Sequence, residues 1–134
     1  MRKFLKRITM LIDSELQAFG NHIGIPNLKL NDKRCIQFIL DDNRTLQIEE
    51  AGEWIFFFVL KPYDLAPLPY AMYEKALSMP LQNAHEMFQV QAIAQSDHDI
   101  GFFAKILDTE CDQPTLYRLF KYLLVCSDYV DTAL

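Results

Sequence analysis

The amino-acid sequence predicts an α+β fold. We expect one domain over residues 1–134, with the element order α-βββ-α-ββ-α and a twisted antiparallel sheet packed against helices. Apolar residues recur at helical spacing in the first, middle and last parts of the chain. Between them lie five short segments with strand-like patterns, bounded by turn residues. The chain has 134 residues, of which 51% are hydrophobic and 23% charged, as is usual for one globular core.

The two terminal helices have the clearest signals. The first is predicted over residues 2–19, with its end at Gly20 and Asn21. The last begins with Asp112 as its N-cap and Pro114 in its first turn. Apolar side chains spaced three or four residues apart form one stripe on a helix. In the first helix this stripe consists of Leu5, Ile8, Ile12, Leu16 and Phe19.

Three strands are predicted between these helices, in the first half of the chain. Residues 35–40 and 45–49 alternate between apolar and polar side chains, and the intervening Asp-Asp-Asn-Arg sequence at 41–44 is typical of a hairpin turn. Residues 50–53 form a second tight turn into a third strand, 54–60. Three consecutive antiparallel strands form a meander.

The third strand is the most hydrophobic stretch of the chain. The run Trp54-Ile-Phe-Phe-Phe-Val-Leu60 has seven apolar residues, four of them aromatic. A strand buried on one face needs only every second residue to be apolar. Something must therefore cover the second face: a helix layer, another subunit or a client protein. We expect Trp54, Phe56 and Phe58 to face outward. The other candidate set is Ile55, Phe57 and Val59, because a one-residue change of register exchanges the two faces. A further alternative is that helices cover both faces.

The second half of the chain is predicted to contain another helix and a second hairpin before the last helix. A helix is predicted over residues 69–79, followed by a loop at 80–86. Two strands, 88–95 and 100–107, then form a hairpin around a turn at 96–99.

The middle helix has an apolar face wider than one sheet requires. The surplus predicts a second contact, most simply with another subunit, at Met72, Ala76 and Met79. The alternative is that these residues are buried within the monomer. Phe102 and Phe103 lie on opposite faces of the last strand, so we expect one in the core and the other at an interface. We assign Phe102 to the dimer interface.

The charge pattern excludes several classes of partner. The net charge is −5, and the first twelve residues carry four basic side chains and no acidic one, which leaves −9 for the rest. An acidic body makes nucleic acid a poor partner. Asp13 and Glu15 interrupt the apolar stretch that follows the basic start, unlike in a signal peptide. No run reaches the length of a membrane span. We expect a cytoplasmic protein without membrane insertion, whose three cysteines, without CxxC spacing, are reduced thiols.

No residue pattern predicts a reaction, a metal site or a cofactor. The histidines His22, His85 and His98 lack ligand spacing, and the four glycines are scattered and form no phosphate loop. The sequence Asp97-His98-Asp99 is explained by a hairpin turn. We expect a protein that is not an enzyme and binds neither metal nor cofactor.

Several short sequence motifs accompany this order of elements. They are Ile23-Gly-Ile-Pro-Asn-Leu-Lys-Leu30 after the first helix, Cys35-Ile-Gln-Phe38 and Leu46-Gln-Ile48 in the first two strands, and Ala76-Leu77 to Asn83 at the second helix. In their joint order they resemble the class I chaperones of bacterial type III secretion, the Tir-chaperone-like family. The chain departs from the family at Glu86-Met-Phe-Gln89, where members often have a glycine-rich start to the fourth strand.

The resemblance implies a small homodimer in the bacterial cytoplasm that binds the N-terminal segment of one or more secreted effectors. Such a chaperone keeps the segment extended and secretion-competent, delivers it to the export apparatus and its ATPase, and catalyses no reaction itself.

The residues of the sheet suit this role. A moderately apolar sheet face with hydrogen-bonding neighbours can hold an extended peptide, and strand addition at an open edge would reinforce it. The expected effector-binding residues are Ile39, Thr45, Gln47, Trp54, Phe56 and Phe58. Two alternatives are a small α+β enzyme or ligand-binding domain, and a chaperone-like regulatory module that binds a protein that is not exported.

Overall fold

The computed structural model describes residues 2–82 and 88–134, and the side chains of residues 11–79 and 88–134. Residues 83–87, in the loop expected at 80–86, lie outside the described residues. The predicted α+β class and the order α-βββ-α-ββ-α are confirmed. The elements are α1 (Arg2–Ile23), β1 (Cys35–Ile39), β2 (Thr45–Ala51), β3 (Trp54–Pro62), α2 (Tyr70–Gln82), β4 (Val90–Ile93), β5 (Asp99–Leu107), a short 3-10 helix (Asp108–Glu110) and α3 (Gln113–Asp131).

The strands form one five-stranded antiparallel sheet in the order β1-β2-β3-β5-β4. The predicted meander of the first three strands and the later hairpin are both present. The chain leaves β3, passes through α2 and returns at the far edge as β4, and β5 then pairs with β3. The two open edges of the sheet are therefore β1 and β4.

The helices supply the core on one side of this sheet, which we call the inner face. Phe19 of α1 lies edge-to-face against Phe57 of β3, with ring centroids 5.7 Å apart. On its other side Phe19 contacts Phe120 of α3 in the same manner, also at 5.7 Å. Aromatic pairs prefer this geometry. The inner-face side chains that are fully buried with them include Leu46, Ile48, Ile55, Val59 and Phe102.

The opposite side of the sheet, the outer face, stays partly open. Along β3 the burial alternates: Ile55, Phe57 and Val59 have no exposed surface, whereas Trp54 and Phe56 are half-buried. The expectation that the Trp54 set faces outward is confirmed. The alternative, helices covering both faces, is wrong for the part of the chain that the structure describes.

Four side chains expected at a dimer interface lie in the core of the single chain. Met72 and Phe102 are completely buried, and Ala76 and Met79 are only 2% and 5% exposed. The physical reason is that α2 packs on α3 and on the β4 edge. The assignment of these residues to a dimer interface is therefore corrected. They belong to the core of the single chain, which was the alternative given with the sequence.

The first helix ends one turn later than predicted. It continues through Gly20 to Ile23, and the turn follows at Gly24, which has the left-handed φ of 84°. Gly20 has a different role: a Cβ atom there would lie 2.5 Å from Cβ of Leu28 and 2.6 Å from the carbonyl oxygen of Ile25. Glycine is needed because the loop after α1 crosses the helix at this point.

Two polar contacts fix the remaining elements. Asp112 caps α3 as predicted, accepting a 2.8 Å hydrogen bond from the backbone N–H of Thr115. Arg44, in the β1–β2 turn, is almost fully buried and donates to Asp128 and to the carbonyl oxygen of Leu124 on α3. Arg44 also pairs with Asp42 in its own turn. The hairpin is thereby tied to the last helix.

Candidate functional site: the outer face of the sheet

The outer face consists of side chains brought together by strand register. Opposite residues on antiparallel strands lie side by side on one face. One row crosses all five strands, and a second lies beside it. The first row is Gln37, Gln47, Phe58, Phe103 and Gln91, and the second is Cys35, Glu49, Phe56 and Lys105.

All six residues expected to bind a client lie on this face. Ile39 stands opposite Thr45, and Gln47 stands opposite Phe58. Trp54 and Phe56 continue along β3. Ile39 is 74% exposed, whereas the other five are half-buried. The structure thus brings the predicted set together on one surface; client binding by these residues stays a prediction.

The aromatic residues of the outer face form a continuous strip, here called the aromatic strip: Trp54, Phe56, Phe58 and Phe103. Phe58 stacks on Phe103 with ring centroids 5.5 Å apart, and on Phe56 at 6.4 Å. Lys105 places its ammonium group 4.2 Å from the ring centroid of Trp54. The stacked phenylalanine rings shield parts of one another, and Lys105 shields part of Trp54. These residues are therefore half-buried although no helix within residues 2–82 and 88–134 lies above them.

Two hollows flank the strip. The larger, the Trp54 hollow, has a volume of about 450 Å³. Its lining includes Trp54, Phe56, Phe88, Phe103, Lys105 and Glu110. The smaller hollow, of about 160 Å³, lies near the middle of the sheet. Glutamine and threonine side chains dominate it: Gln37, Thr45, Gln47 and Gln95 beside Phe58 and Ile93. Apolar surface and amide groups therefore alternate across the face.

Sequence reasoning missed Phe103 and Lys105 as members of this surface. A usable signal was present in the sequence. Side chains two apart on a strand share a face, and Lys105 has to point to solvent. Phe103 therefore had to point outward as well, which leaves Phe102 for the core.

A second apolar surface lies at the β4 edge. On α2, Leu77 is 69% exposed and Tyr70 is 76% exposed. Between α2 and β4 runs a groove of about 150 Å³, lined by Tyr73, Ala76, Leu77, Ala92, Ile93 and Ile100. Leu77 thus extends an apolar groove beside an open strand.

The predicted turn at residues 96–99 is built as a turn. Asp99 is buried and accepts hydrogen bonds from the backbone N–H of Gln95 and the hydroxyl of Ser96. His98 is exposed beside Asp97. Within residues 2–82 and 88–134 no group of histidine, cysteine and carboxylate side chains is arranged to hold a metal ion.

Among the described residues, His22 and the buried Cys111 show no arrangement typical of a reactive site. His22 lies edge-to-face against Tyr117, with ring centroids 4.2 Å apart, and His85 falls outside the described residues. Burial raises the pKa of the Cys111 thiol to about 12, so the thiol stays protonated at neutral pH. In the described part of the chain, no helix is long and apolar enough to cross a membrane.

Three solved structures are similar to this chain in fold. A chain of the HopA1–SchA chaperone–effector complex is 18% identical with a TM-score of 0.65, over 92% of this chain and 95% of that one. For the ExsC–ExsE complex the values are 14%, 0.66, 92% and 91%. For the heterodimeric ExoU–SpcU complex from the type III secretion system of Pseudomonas aeruginosa they are 20%, 0.57, 90% and 95%. At these identities the similarity establishes the fold.

The family assignment comes from the sequence itself. No curated protein sequence is similar enough to serve as a relative. Residues 14–125, however, match the profile of one family, and this stretch runs from the middle of α1 to the last turns of α3, including the whole sheet. The chain belongs to the Tir chaperone protein (CesT) family.

Proposed function

We propose that this protein is a cytoplasmic bacterial chaperone of type III secretion. It binds the N-terminal segment of one or more effectors on its outer face and keeps that segment extended. The observation that carries the proposal is the aromatic strip, four aromatic side chains left half-exposed on an uncovered sheet face. Large exposed apolar patches on soluble proteins mark interaction sites. The family is one of chaperones, and the protein is not an enzyme.

The outer face suits an extended peptide. Burying apolar surface of the client against the aromatic strip favours the complex through the hydrophobic effect, and the cost of ordering the peptide opposes it. Gln37, Gln47 and Gln91 border the strip and offer amide groups to the backbone of the peptide. A peptide spread over such a surface exposes its apolar side chains to the chaperone and not to each other. It therefore stays extended.

The open edge of β1 reinforces this binding by strand addition. The backbone groups of Cys35 at this edge are already taken: Asn31 accepts from its N–H at 3.2 Å through the side chain and donates to its carbonyl oxygen at 3.0 Å. The same edge continues past Gln37 and Ile39. A client strand that pairs there extends the outer face by one strand and places alternate side chains beside Gln37 and Ile39.

We propose further that the protein is a homodimer. Met72, Ala76 and Met79 are buried and anchor α2 in the core. Phe102 is buried in the same core, against the inner face of the sheet. The contact itself uses the exposed Leu77 and the groove between α2 and β4, which together present apolar surface next to an open strand. Delivery to the export apparatus and its ATPase follows from the likeness to class I chaperones.

Co-expression with candidate effectors encoded nearby tests the client proposal. We expect a stable complex that purifies by size exclusion, with a mass equal to two chaperone chains plus the effector. Phe58→Glu, which puts a charge into the aromatic strip, should abolish the complex. The control is Val125→Glu, because Val125 is 51% exposed on α3, away from the sheet.

Thermal unfolding of each variant is the check that it remains folded. Phe56→Ser is a second, milder change in the aromatic strip. A complex that survives both strip variants contradicts the proposal. A partner that binds through the strip and is never secreted would identify the protein as a regulatory module instead.

A further inference from the structure

We propose that the Trp54 hollow recognises a pattern in the client: a large apolar residue and, two positions along the extended segment, an aspartate or glutamate. This inference rests on the proposed function, since it specifies what the outer face selects. It identifies Lys105 as a specificity-determining residue that sequence reasoning did not assign.

The hollow is a defined feature at one end of the aromatic strip. Phe56 and Phe103 belong to its lining on β3 and β5, and Trp54 stands at one side. Phe88 and Gln89 form the other side, where the chain approaches the short strand β4. A volume of about 450 Å³ accommodates a large side chain, and aromatic walls favour an aromatic or branched aliphatic one.

Lys105 gives this hollow its charge preference. Its ammonium group lies over the indole ring of Trp54 at 4.2 Å. None of the ion pairs among the described residues involves Lys105. Two carboxylates on this side of the sheet accept hydrogen bonds from other groups. Glu49 accepts a hydrogen bond from Gln47, and Glu110 accepts one from the backbone N–H of Leu107. An exposed cation held in place by a ring is therefore available to a client carboxylate.

The spacing follows from the strand. Phe103 and Lys105 are two residues apart on β5 and point to the same face, about 7 Å apart along the strand. An extended client has the same repeat, so a side chain that packs on Phe103 brings the side chain two positions away to Lys105. The hollow is also continuous with the aromatic strip through Phe56. This continuity favours a peptide over a separate small molecule as its occupant.

Peptide selection tests this inference without knowledge of the natural client. A phage-displayed library of random linear peptides is selected on the wild-type protein and on Lys105→Glu. We expect wild-type selections enriched in apolar-x-acidic patterns, and Lys105→Glu selections enriched in apolar-x-basic ones. A synthetic wild-type consensus peptide should bind Lys105→Glu at least about tenfold more weakly, because one charge-assisted contact is replaced by repulsion between like charges.

The matched control is Lys121→Glu. Lys121 also lies over an aromatic ring, that of Tyr117, but on α3, away from the sheet. This variant changes the net charge equally and should select the wild-type pattern.

The outcomes separate the two proposals. Enriched peptides that lose binding in Phe58→Glu but show no acidic preference, or the same preference in Lys105→Glu, overturn the role of Lys105 and leave the proposed function standing. Peptides that bind Phe58→Glu as well as they bind the wild type, or no enrichment at all, contradict both proposals.

Discussion

Arg44 shows how a single residue can hold distant parts of this fold together. Its guanidinium group bridges the β1–β2 turn and α3 through Asp42, Asp128 and the carbonyl oxygen of Leu124. The hydrogen bond from Arg44 holds the pKa of Asp42 below its usual value. A lowered pKa means that the folded state gains stability from the ionised carboxylate. That gain is present above the usual pKa and is lost as the pH falls through the lowered one.

Arg44→Met should therefore destabilise the protein by about 1–2 kcal/mol near neutral pH, because both carboxylates are partly exposed and screened by solvent. Urea unfolding of the wild type and the variant at a series of pH values measures the difference. We expect it to shrink once the pH falls below about 4, the usual pKa of aspartate. Arg118→Met, at an exposed position of α3, is the control. A difference that stays constant down to the acid-unfolding range contradicts this account.

For Gly20→Ala, packing and helix propensity predict effects on stability of opposite sign. Alanine is favoured over glycine in a helix by about 1 kcal/mol. At this position, however, the added Cβ would meet Leu28 and the carbonyl oxygen of Ile25. We expect Gly20→Ala to destabilise the protein by about 1–3 kcal/mol, as overpacking does. Asn21→Ala, at the adjacent exposed position, should be close to neutral in the same urea titration.

At the scale of elements, β3 combines two surfaces in one strand. Its inner residues complete the core, and its outer residues form most of the aromatic strip. Adjacent phenylalanines therefore have different roles: Phe57 has no exposed surface, and Phe56 is half-buried.

Phe57→Ala should cost about 3–5 kcal/mol of unfolding free energy, the usual range for a buried aromatic residue. Phe56→Ala should cost on the order of 1 kcal/mol, because less apolar area leaves water at that position. The effects on client capture should be reversed once stability is taken into account: Phe56→Ala lowers it, and Phe57→Ala does so only by unfolding the protein. Equal destabilisation by the two variants would show that the strip is core.

The sequence was informative about elements wherever a pattern had one reading. The hairpin at residues 41–44 and the cap at Asp112 both followed from local chemistry. The outward direction of Trp54 did not, because a one-residue change of register exchanges the two faces of β3. The face of β5 was assigned wrongly because Phe102 and Phe103 are both apolar, and alternation alone does not say which of two equal neighbours points inward. Only the charge two positions later, at Lys105, distinguishes them.

On the scale of the whole molecule, the core is complete within one chain. Residues from all three helices and from the sheet share one cluster of buried side chains. The wide apolar face of α2 is largely used up in this cluster. Periodicity predicted the width of that face correctly, but it could not say whether α3, the sheet or a second chain covers it. That information is tertiary.

A self-contained core predicts that the dimer separates without unfolding. Leu77→Glu places a charge on the exposed side of α2 and should convert the dimer into a folded monomer. Light scattering after size exclusion gives the mass, and circular dichroism shows whether the cooperative unfolding transition is retained. Val125→Glu is again the matched control. A Leu77→Glu protein that keeps the dimer mass contradicts the proposed contact at α2 and β4.

The Asn31 contact at the edge of β1 has a consequence for solubility. An unpaired strand edge recruits identical edges from other molecules, and long ones lead to fibrils and precipitates. By occupying the backbone groups of Cys35, Asn31 leaves this edge only a few residues long. The protein exposes an aromatic surface for binding other chains. The Asn31 contact shortens the strand edge along which copies of the protein itself would pair and polymerise.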